Sequence, residues 1–196
     1  MKRSLIVTLS IVGVVLILFF WGCSGYNGLV KLDEKVKNAW NNVNTEYQKR
    51  NDLVDNLVNT VKGAADFEKT TLEEVIKARA SATQTKIDAN DLTPEKLQQF
   101  EAAQGQLSGA LSRLLVSVEA YPQLKATQNF LQLQNDLGGI ENDIRNARRN
   151  FNDAVQEYNT KARSFPLTLF SGIFGFHTKE GFKAEEGAEK APKVKF

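Results

Sequence analysis

Paired carboxylates are the residues of this sequence whose spacing could support acid–base chemistry. Asp52 and Asp55 form one pair, and Glu141 and Asp143 form a second pair in the C-terminal half. Two carboxylates can act as general acid and general base when their environments separate their pKa values. Acidic residues on predicted helices more often serve as ion-pair partners and as solubilising side chains. The sequence therefore favours a structural role for both pairs.

Histidine and cysteine each occur once, which limits the other kinds of site. His177 lies in a tail without an ordered partner, so the sequence indicates no nucleophile–histidine pair. One histidine cannot build a multi-histidine metal site, and no CxxC motif or acidic loop replaces it. No glycine pair has the strand-to-helix context of a phosphate-binding loop. We therefore expect no catalytic residue, no cofactor, no metal ion and no small-molecule substrate.

Arg50 interrupts an apolar stripe that runs from residue 29 to residue 64. A buried arginine needs a charged or polar partner, because an unpaired buried charge costs several kcal/mol, about 3–5. Glu141 is the best partner by residue type, so we predict a polar core layer of Arg50, Glu141 and Asn142 that fixes the helix register. In the alternative interpretation, Arg50 extends past Tyr47 to solvent.

Four helices must position these residues. Apolar residues at alternating spacings of three and four predict one helix from Leu29 to about Ala64 and a last helix from about Thr127 to about Ser164. Between them, helix-start signals predict one helix over 66–88 and another from 94 to about 120, where Tyr121–Pro122 breaks it. Short connecting loops favour an all-α fold, an up-and-down four-helix bundle with long first and fourth helices.

An uncharged N-terminal stretch predicts a membrane anchor. The 17 residues Leu5–Trp21 are almost entirely apolar, which is long for a cleaved signal and near the length of a membrane span. Lys2 and Arg3 favour a cytoplasmic N-terminus and an exported body in the inner membrane. They also account for the whole formal net charge of +2, so the rest of the chain has no electrostatic footprint for nucleic acid. The alternative is a lipoprotein anchored through Cys23.

These features divide the chain into five parts. Residues 1–3 are a short cytoplasmic N-terminus, 4–23 the transmembrane anchor, 24–164 the bundle, 165–177 an apolar Phe-rich segment and 178–196 a disordered tail.

The even number of helices returns the chain to the membrane, so the Phe-rich segment is expected at the bilayer surface or against a neighbouring protomer. Its predicted interface residues are Phe165, Phe170, Ile173, Phe174 and Phe176.

The long helices predict a stalk near the membrane. The second and third helices are shorter, so they are expected to cover only the distal part of the first and fourth. The stalk seam consists of Leu32, Val36, Trp40, Val155 and Tyr158. Two helices hide such a seam incompletely, which favours lateral homo-oligomerisation. The alternative is a plain antiparallel pair against the lipid headgroups.

A set of short motifs occurs along the chain: Tyr26–Asn27, Ala39–Trp40, Val43, Tyr47, Arg50, Asp52–Leu53, Asn56–Val58, Val61–Lys62, Tyr121–Pro122, Leu124, Ala126, Glu141–Asn142, Ile144, Ala147–Arg148, Asn152, Val155, Tyr158–Asn159 and Gly175–Phe176. Through these residues, the chain resembles the LemA family of membrane-anchored bacterial proteins over nearly its whole length, up to about Phe182. The resemblance implies a single N-terminal span and a four-helix bundle. It implies no activity and no catalytic residues.

These inferences favour a non-enzymatic, self-associating scaffold or adaptor at the cell envelope. Its expected partners are the lipid bilayer, further copies of the chain and a membrane protein. The alternative is an accessory subunit of a membrane-bound envelope enzyme such as a protease. Co-purification with one recurrent enzyme would favour that alternative.

Overall fold

The protein is all-helical over residues 2–63 and 67–183, the parts of the chain that the computed structural model describes. Its helices are α1 (Lys2–Lys62), α2 (Lys69–Gln84), α3 (Pro94–Val118), α4 (Pro122–Lys125) and α5 (Gln128–Arg163). A 3₁₀ turn follows at Leu167–Leu169. No strand occurs in the described ranges, so the predicted all-α class is confirmed.

Helix α1 joins the predicted anchor and the first predicted body helix into one rod. It has 61 residues, which corresponds to a length of about 92 Å. No proline interrupts it, and its glycines are tolerated within the helix. The helix contains one stretch near the N-terminus that is long and apolar enough to cross a membrane. The described apolar side chains of this stretch are exposed, which is compatible with membrane anchoring.

Local capping signals set the starts of α3 and α5. The hydroxyl of Thr93 accepts a hydrogen bond from the backbone N–H of Lys96, and the hydroxyl of Thr127 accepts one from Phe130. Helix α2 is shorter than the predicted range of 66–88. Its first flanking residue, Glu68, makes no capping hydrogen bond, and residue 66, where the predicted helix begins, lies outside the described residues.

The long helices α1 and α5 pack against each other in opposite directions. Lys35 pairs with Glu157 near the N-terminal side, whereas Arg50 pairs with Glu141 farther along α1. Rising residue numbers on one helix therefore meet falling numbers on the other. Helix α2 packs against both α1 and α3.

Two hydrophobic clusters form the interior. The proximal cluster lies nearer the N-terminal apolar stretch and includes Trp40, Phe100, Phe151 and Tyr158. The distal cluster includes Val54, Leu107, Leu114 and Phe130. Burial of each large apolar side chain contributes about 1.5–3 kcal/mol, so packing rather than helix propensity holds the helices together.

Candidate functional site

Arg50 is the centre of a buried polar layer between the two hydrophobic clusters. The side chain is 2% exposed, and its guanidinium lies 4.9 Å from the centre of the Tyr47 ring. Its Nη1 donates to Ser108 Oγ at 2.8 Å and to Glu141 Oε1 at 3.0 Å. Its Nη2 donates to Gln104 Oε1 at 2.5 Å and to the Gln104 carbonyl at 3.3 Å. The interpretation in which Arg50 reaches solvent is therefore wrong.

The third predicted member of the layer, Asn142, does not belong to it. Its side chain is exposed, and its Nδ2 donates to the carbonyl of Gly138 one turn earlier. One helical step of about 100° separates it from Glu141, so the two side chains leave α5 in different directions. Gln104 and Ser108 of α3 supply the remaining partners. A sequence signal for Gln104 exists, because it occupies a position of the apolar stripe of α3.

Asp52, Asp55 and Glu141, three of the four paired carboxylates, have structural partners. Asp52 Oδ1 accepts from Gln48 at 2.7 Å, and Asp55 Oδ2 lies 2.5 Å from Arg79 Nη2. Glu141 is bound to Arg50. Within the described ranges, no group of three or more histidine, cysteine or acidic residues could hold a metal ion. Asp55 and Glu141 therefore serve in ion pairs between helices.

The predicted stalk seam is covered by the chain itself, which corrects the expectation of an uncovered stalk. Val36, Trp40, Val155 and Tyr158 are buried, and Leu32 is partly buried.

Two elements other than the long helices provide the cover. The loop between α2 and α3 places Ile87 in the proximal cluster, and the Ile87 carbonyl accepts a 3.0 Å hydrogen bond from Trp40 Nε1. Phe182 covers the other side, because its ring stacks on Trp40 with centroids 5.9 Å apart. The seam therefore offers little free apolar surface for lateral oligomerisation.

Residues 177–183, here called the C-terminal segment, lie along α5, which corrects the prediction of disorder from residue 178 onward. Asn159 donates to the carbonyl of Lys179 at 2.8 Å and accepts from its N–H at 2.9 Å. Asn152 makes the same two bonds to Phe182, at 3.0 and 2.8 Å. The Tyr158 hydroxyl donates to the carbonyl of His177 at 2.9 Å. The remaining residues, 184–196, lie outside the described part of the chain.

The Phe182 side chain fills an aromatic pocket. Its ring meets the edge of Phe151 at 5.5 Å, and the Arg148 guanidinium lies 4.4 Å from its centre. Arg148 itself is held by Glu101 at 3.1 Å. Lys179 makes the second anchor, with its Nζ 2.9 Å from Asp33 Oδ1 on α1.

The Phe-rich segment packs against α1 just beyond its apolar stretch. At Gly25, an added Cβ would lie 2.4 Å from Leu167 Cδ2, so glycine permits this close approach. The rings of Phe174 and Phe176 contact the Tyr26 ring edge-on, with centroids 5.5 and 5.4 Å away. The end of α5 has therefore returned to the level at which the apolar part of α1 ends.

This packing leaves a continuous apolar surface beside the apolar helix. Phe165 is 82% exposed and Ile173 is 79% exposed, with Phe170 and Phe174 also exposed. Phe176 differs from the other predicted interface residues, because it is partly buried. An apolar cleft of about 970 Å³ lies between this segment and α1, lined by residues that include Phe19, Trp21, Cys23, Phe165 and Phe170.

The comparison with known proteins adds a family to this geometry. The model of the LemA family matches residues 39–196, which include the polar layer and the C-terminal segment. The chain belongs to the LemA family. Protein LemA of Metamycoplasma hominis is 24% identical over 161 residues, which cover 82% of this chain and 69% of that protein.

This LemA-family chain is also similar to magnetosome proteins over a shorter region. Magnetosome protein MamQ 2 of Paramagnetospirillum magneticum is 28% identical over 87 residues, 44% of this chain and 32% of that protein. Magnetosome protein MamQ of Magnetospirillum gryphiswaldense is 30% identical over 80 residues, 41% of this chain and 29% of that protein. The matched part thus spans about a third of the length of these relatives.

Two titratable side chains near the C-terminal segment of this LemA-family protein, Asp33 and Tyr158, have shifted pKa values. Burial raises the pKa of Asp33, but hydrogen bonds and charges from Lys179 and Lys37 outweigh it, so the pKa lies below the ordinary value. Burial, together with the Asp33 charge, raises the pKa of Tyr158 to about 12. The Tyr158 hydroxyl therefore stays protonated and can donate to the His177 carbonyl across the neutral pH range.

Sequence reasoning missed the residues that hold the C-terminal segment. Asn152 and Asn159 are seven residues apart and therefore share one face of α5. Phe182 is an isolated aromatic residue in a polar stretch, which is a signal for a buried anchor. Neither signal reveals that the two asparagines and the phenylalanine meet.

Proposed function

We propose that this LemA-family protein is a non-enzymatic, self-associating scaffold or adaptor of the cell envelope. In this proposal, α1 crosses the inner membrane once, and the body stands on the exported side as an up-and-down four-helix bundle. The apolar stretch of α1 supports the anchor, and similarity to the magnetosome proteins is compatible with membrane association. The lipid bilayer is its first partner.

The observation that carries the proposal is the exposed apolar surface of the Phe-rich segment. Exposed Phe165, Phe170 and Ile173 lie on a segment that packs against α1 at Gly25 and Tyr26, directly after the apolar stretch. A surface of this kind is unfavourable in water and favourable at the boundary between headgroups and acyl chains. Trp21 and Tyr26 of α1 line the same cleft, and these two residue types are typical of that boundary. The segment would therefore fix the height of the body above the bilayer.

An environment-sensitive fluorophore at position 170 tests this placement. The label is attached to Phe170→Cys in a Cys23→Ser background, and the protein is reconstituted into liposomes. We expect a blue-shifted emission that responds to quenchers in the lipid. The matched control is Val116→Cys, an exposed apolar position on α3, where the label should report bulk water. Bulk-water emission at position 170 would contradict the proposal.

Attachment and orientation have separate tests. Labelling of Val116→Cys in intact spheroplasts by an impermeant reagent should succeed if the body is exported. Mass spectrometry distinguishes the anchor from the lipoprotein alternative, in which the mature chain would begin with acylated Cys23. Light scattering in detergent measures self-association, and a clean monomer would remove that part of the proposal. Recurrent co-purification with one membrane enzyme would instead support the accessory-subunit alternative.

A further inference from the structure

The C-terminal segment is held in the manner of a bound peptide. Five hydrogen bonds hold its backbone, and their partners are the side chains of Asn152, Tyr158 and Asn159. Its one fully buried side chain is Phe182, while His177, Thr178, Glu180 and Lys183 are exposed. A segment anchored by one aromatic residue and a few hydrogen bonds opens far more easily than the helices beneath it.

The two asparagines form a clamp whose spacing fits an extended chain. Each amide presents one donor and one acceptor and so satisfies both backbone groups of one residue. Seven residues along α5 correspond to about 10.5 Å. The two clamped residues, Lys179 and Phe182, are three apart, which corresponds to about 10 Å in an extended chain. The clamp therefore binds the backbone of an extended chain at these two positions, whatever their side chains.

Three features of the groove favour particular side chains in the bound chain: an aromatic pocket, an acidic side chain and the limited space beside Asn152. The aromatic pocket formed by Trp40, Phe151 and Arg148 receives the ring of Phe182. Asp33 pairs with the cationic side chain of Lys179, which precedes Phe182 by three residues.

Glycine is the residue that fits before the aromatic ring without a shift of the Asn152 side chain. A Cβ at Gly181 would lie 2.6 Å from Asn152 Oδ1, which is closer than real Cβ contacts. The groove thus fits the pattern of a basic residue, any residue, glycine and an aromatic residue. A cleft of about 580 Å³ beside Phe182 and Lys183 is lined by Arg145 and Arg149.

We propose that the groove between α1 and α5 is a peptide-binding site, and that residues 177–183 are its replaceable intramolecular ligand. Its partner is an extended segment of another protein with the pattern basic–any–glycine–aromatic. The C-terminal segment blocks the groove until such a segment displaces it. The inference rests on the proposed adaptor function and names the chemistry of the partner.

Displacement by a peptide tests the proposal with the full chain in detergent micelles. The probe is a fluorescent peptide with the sequence of residues 176–183, Phe-His-Thr-Lys-Glu-Gly-Phe-Lys, and binding is followed by anisotropy. A tethered ligand competes at an effective concentration of about 1 mM, so the wild type should bind the probe weakly. Phe182→Ala empties the groove and should increase the affinity at least about 10-fold. Lys183→Ala, the matched control at an exposed neighbour, should not.

A second variant guards against misfolding of the first. Gly181→Val pushes the C-terminal segment away from Asn152 but leaves the aromatic pocket intact, so it should open the groove as well. Adding Asn159→Leu to either variant removes one half of the clamp and should abolish the gained affinity. A probe with alanine in place of its second phenylalanine should bind at least about 10-fold more weakly, because it lacks the ring that fills the pocket.

Three results would overturn the inference. In the first, both opened variants retain wild-type circular dichroism and bind no probe at millimolar concentration. In the second, the alanine-substituted probe binds as tightly as the original. In the third, the wild type is a dimer that dissociates on Phe182→Ala. That result would mean that the C-terminal segment of a second copy of the chain fills the groove. The emission of the label at position 170 in liposomes does not depend on the groove, so a failure of peptide binding is distinguishable from a failure of the proposed membrane placement.

Discussion

Loss of Arg50 should destabilise the protein much more than loss of Glu141, although the two residues form one ion pair. Arg50 is 2% exposed and donates to three residues, whereas the Glu141 side chain is 38% exposed and accepts one of these bonds. The remaining acceptors, Gln104 and Ser108, belong to α3. The layer is therefore a connection between α1 and α3 to which α5 adds a partly solvated carboxylate.

The expected losses of unfolding free energy follow from this difference in burial and in number of hydrogen bonds. Arg50→Ala removes charge-assisted hydrogen bonds, strands the buried Gln104 Oε1 and leaves a cavity, which together cost about 3–5 kcal/mol of unfolding free energy. For a chain of this size, a cost near 4 kcal/mol lowers Tm by about 8–16 °C. Glu141→Gln removes a partly exposed charge and keeps an acceptor at the same place. We expect a cost of about 1 kcal/mol or less.

Urea denaturation of the full chain in detergent, followed by far-ultraviolet circular dichroism, measures both costs. Arg145→Ala is the matched control, because Arg145 is an exposed arginine on α5 whose partner is Asn142. Its effect should stay within about 0.5 kcal/mol. The slope of unfolding free energy against urea should be the same for all variants if the folded and unfolded states remain comparable.

Two outcomes would refute this reasoning. The first is an equal cost for Arg50→Ala and Glu141→Gln, which would mean that the contacts with α3 contribute nothing. The second is full recovery in the charge-swapped double variant Arg50→Glu with Glu141→Arg. A glutamate at position 50 would face the Gln104 carbonyl, which cannot donate a hydrogen bond, so we expect only partial recovery.

Two further predictions concern the membrane-proximal end. Gly25→Ala places a methyl group against Leu167, whereas the added Cβ in Gly22→Ala meets nothing within 4 Å. In thermal melts, we expect Gly25→Ala to be less stable than Gly22→Ala by about 1–2 kcal/mol. Equal stabilities would disprove the contact. The pKa of Asp33 in the folded protein lies below its ordinary value of 3.8, so the stabilisation from its pair with Lys179 is fully present above that pH and is lost as the pH falls below it. The stability difference between the wild type and Asp33→Asn should therefore shrink in acid, and a difference that grows below pH 3.8 would contradict the ion pair.

Helix starts could be predicted from the sequence because they depend on neighbouring residues. Thr93 and Thr127 cap the helices that follow them, and Pro94 occupies the first turn of α3. The apolar periodicity likewise predicts α1 and α5, because a helix repeats its faces over a few residues. The burial of Arg50 could be proposed on the same basis, since it interrupts such a stripe.

The partners of these residues required the tertiary structure. Arg50 meets Ser108 and Gln104, which are more than 50 positions away in the chain, through a choice of helix rotation that no local pattern encodes. The error about the stalk has the same origin. Helix lengths suggested an uncovered seam, but Ile87 from a loop and Phe182 from the C-terminal segment cover it. Neither residue lies in a periodic stretch.

The sequence by itself therefore determined the long helices α1, α3 and α5, the apolar N-terminal stretch and the family resemblance. Only the tertiary structure decided which surfaces remain free, since burial depends on segments that are distant in sequence. Residues 177–183 illustrate the reason, because their polar composition resembles that of a disordered tail. The Phe182 ring, the side chains of Asn152 and Asn159, the Tyr158 hydroxyl and the Lys179–Asp33 pair hold them in place.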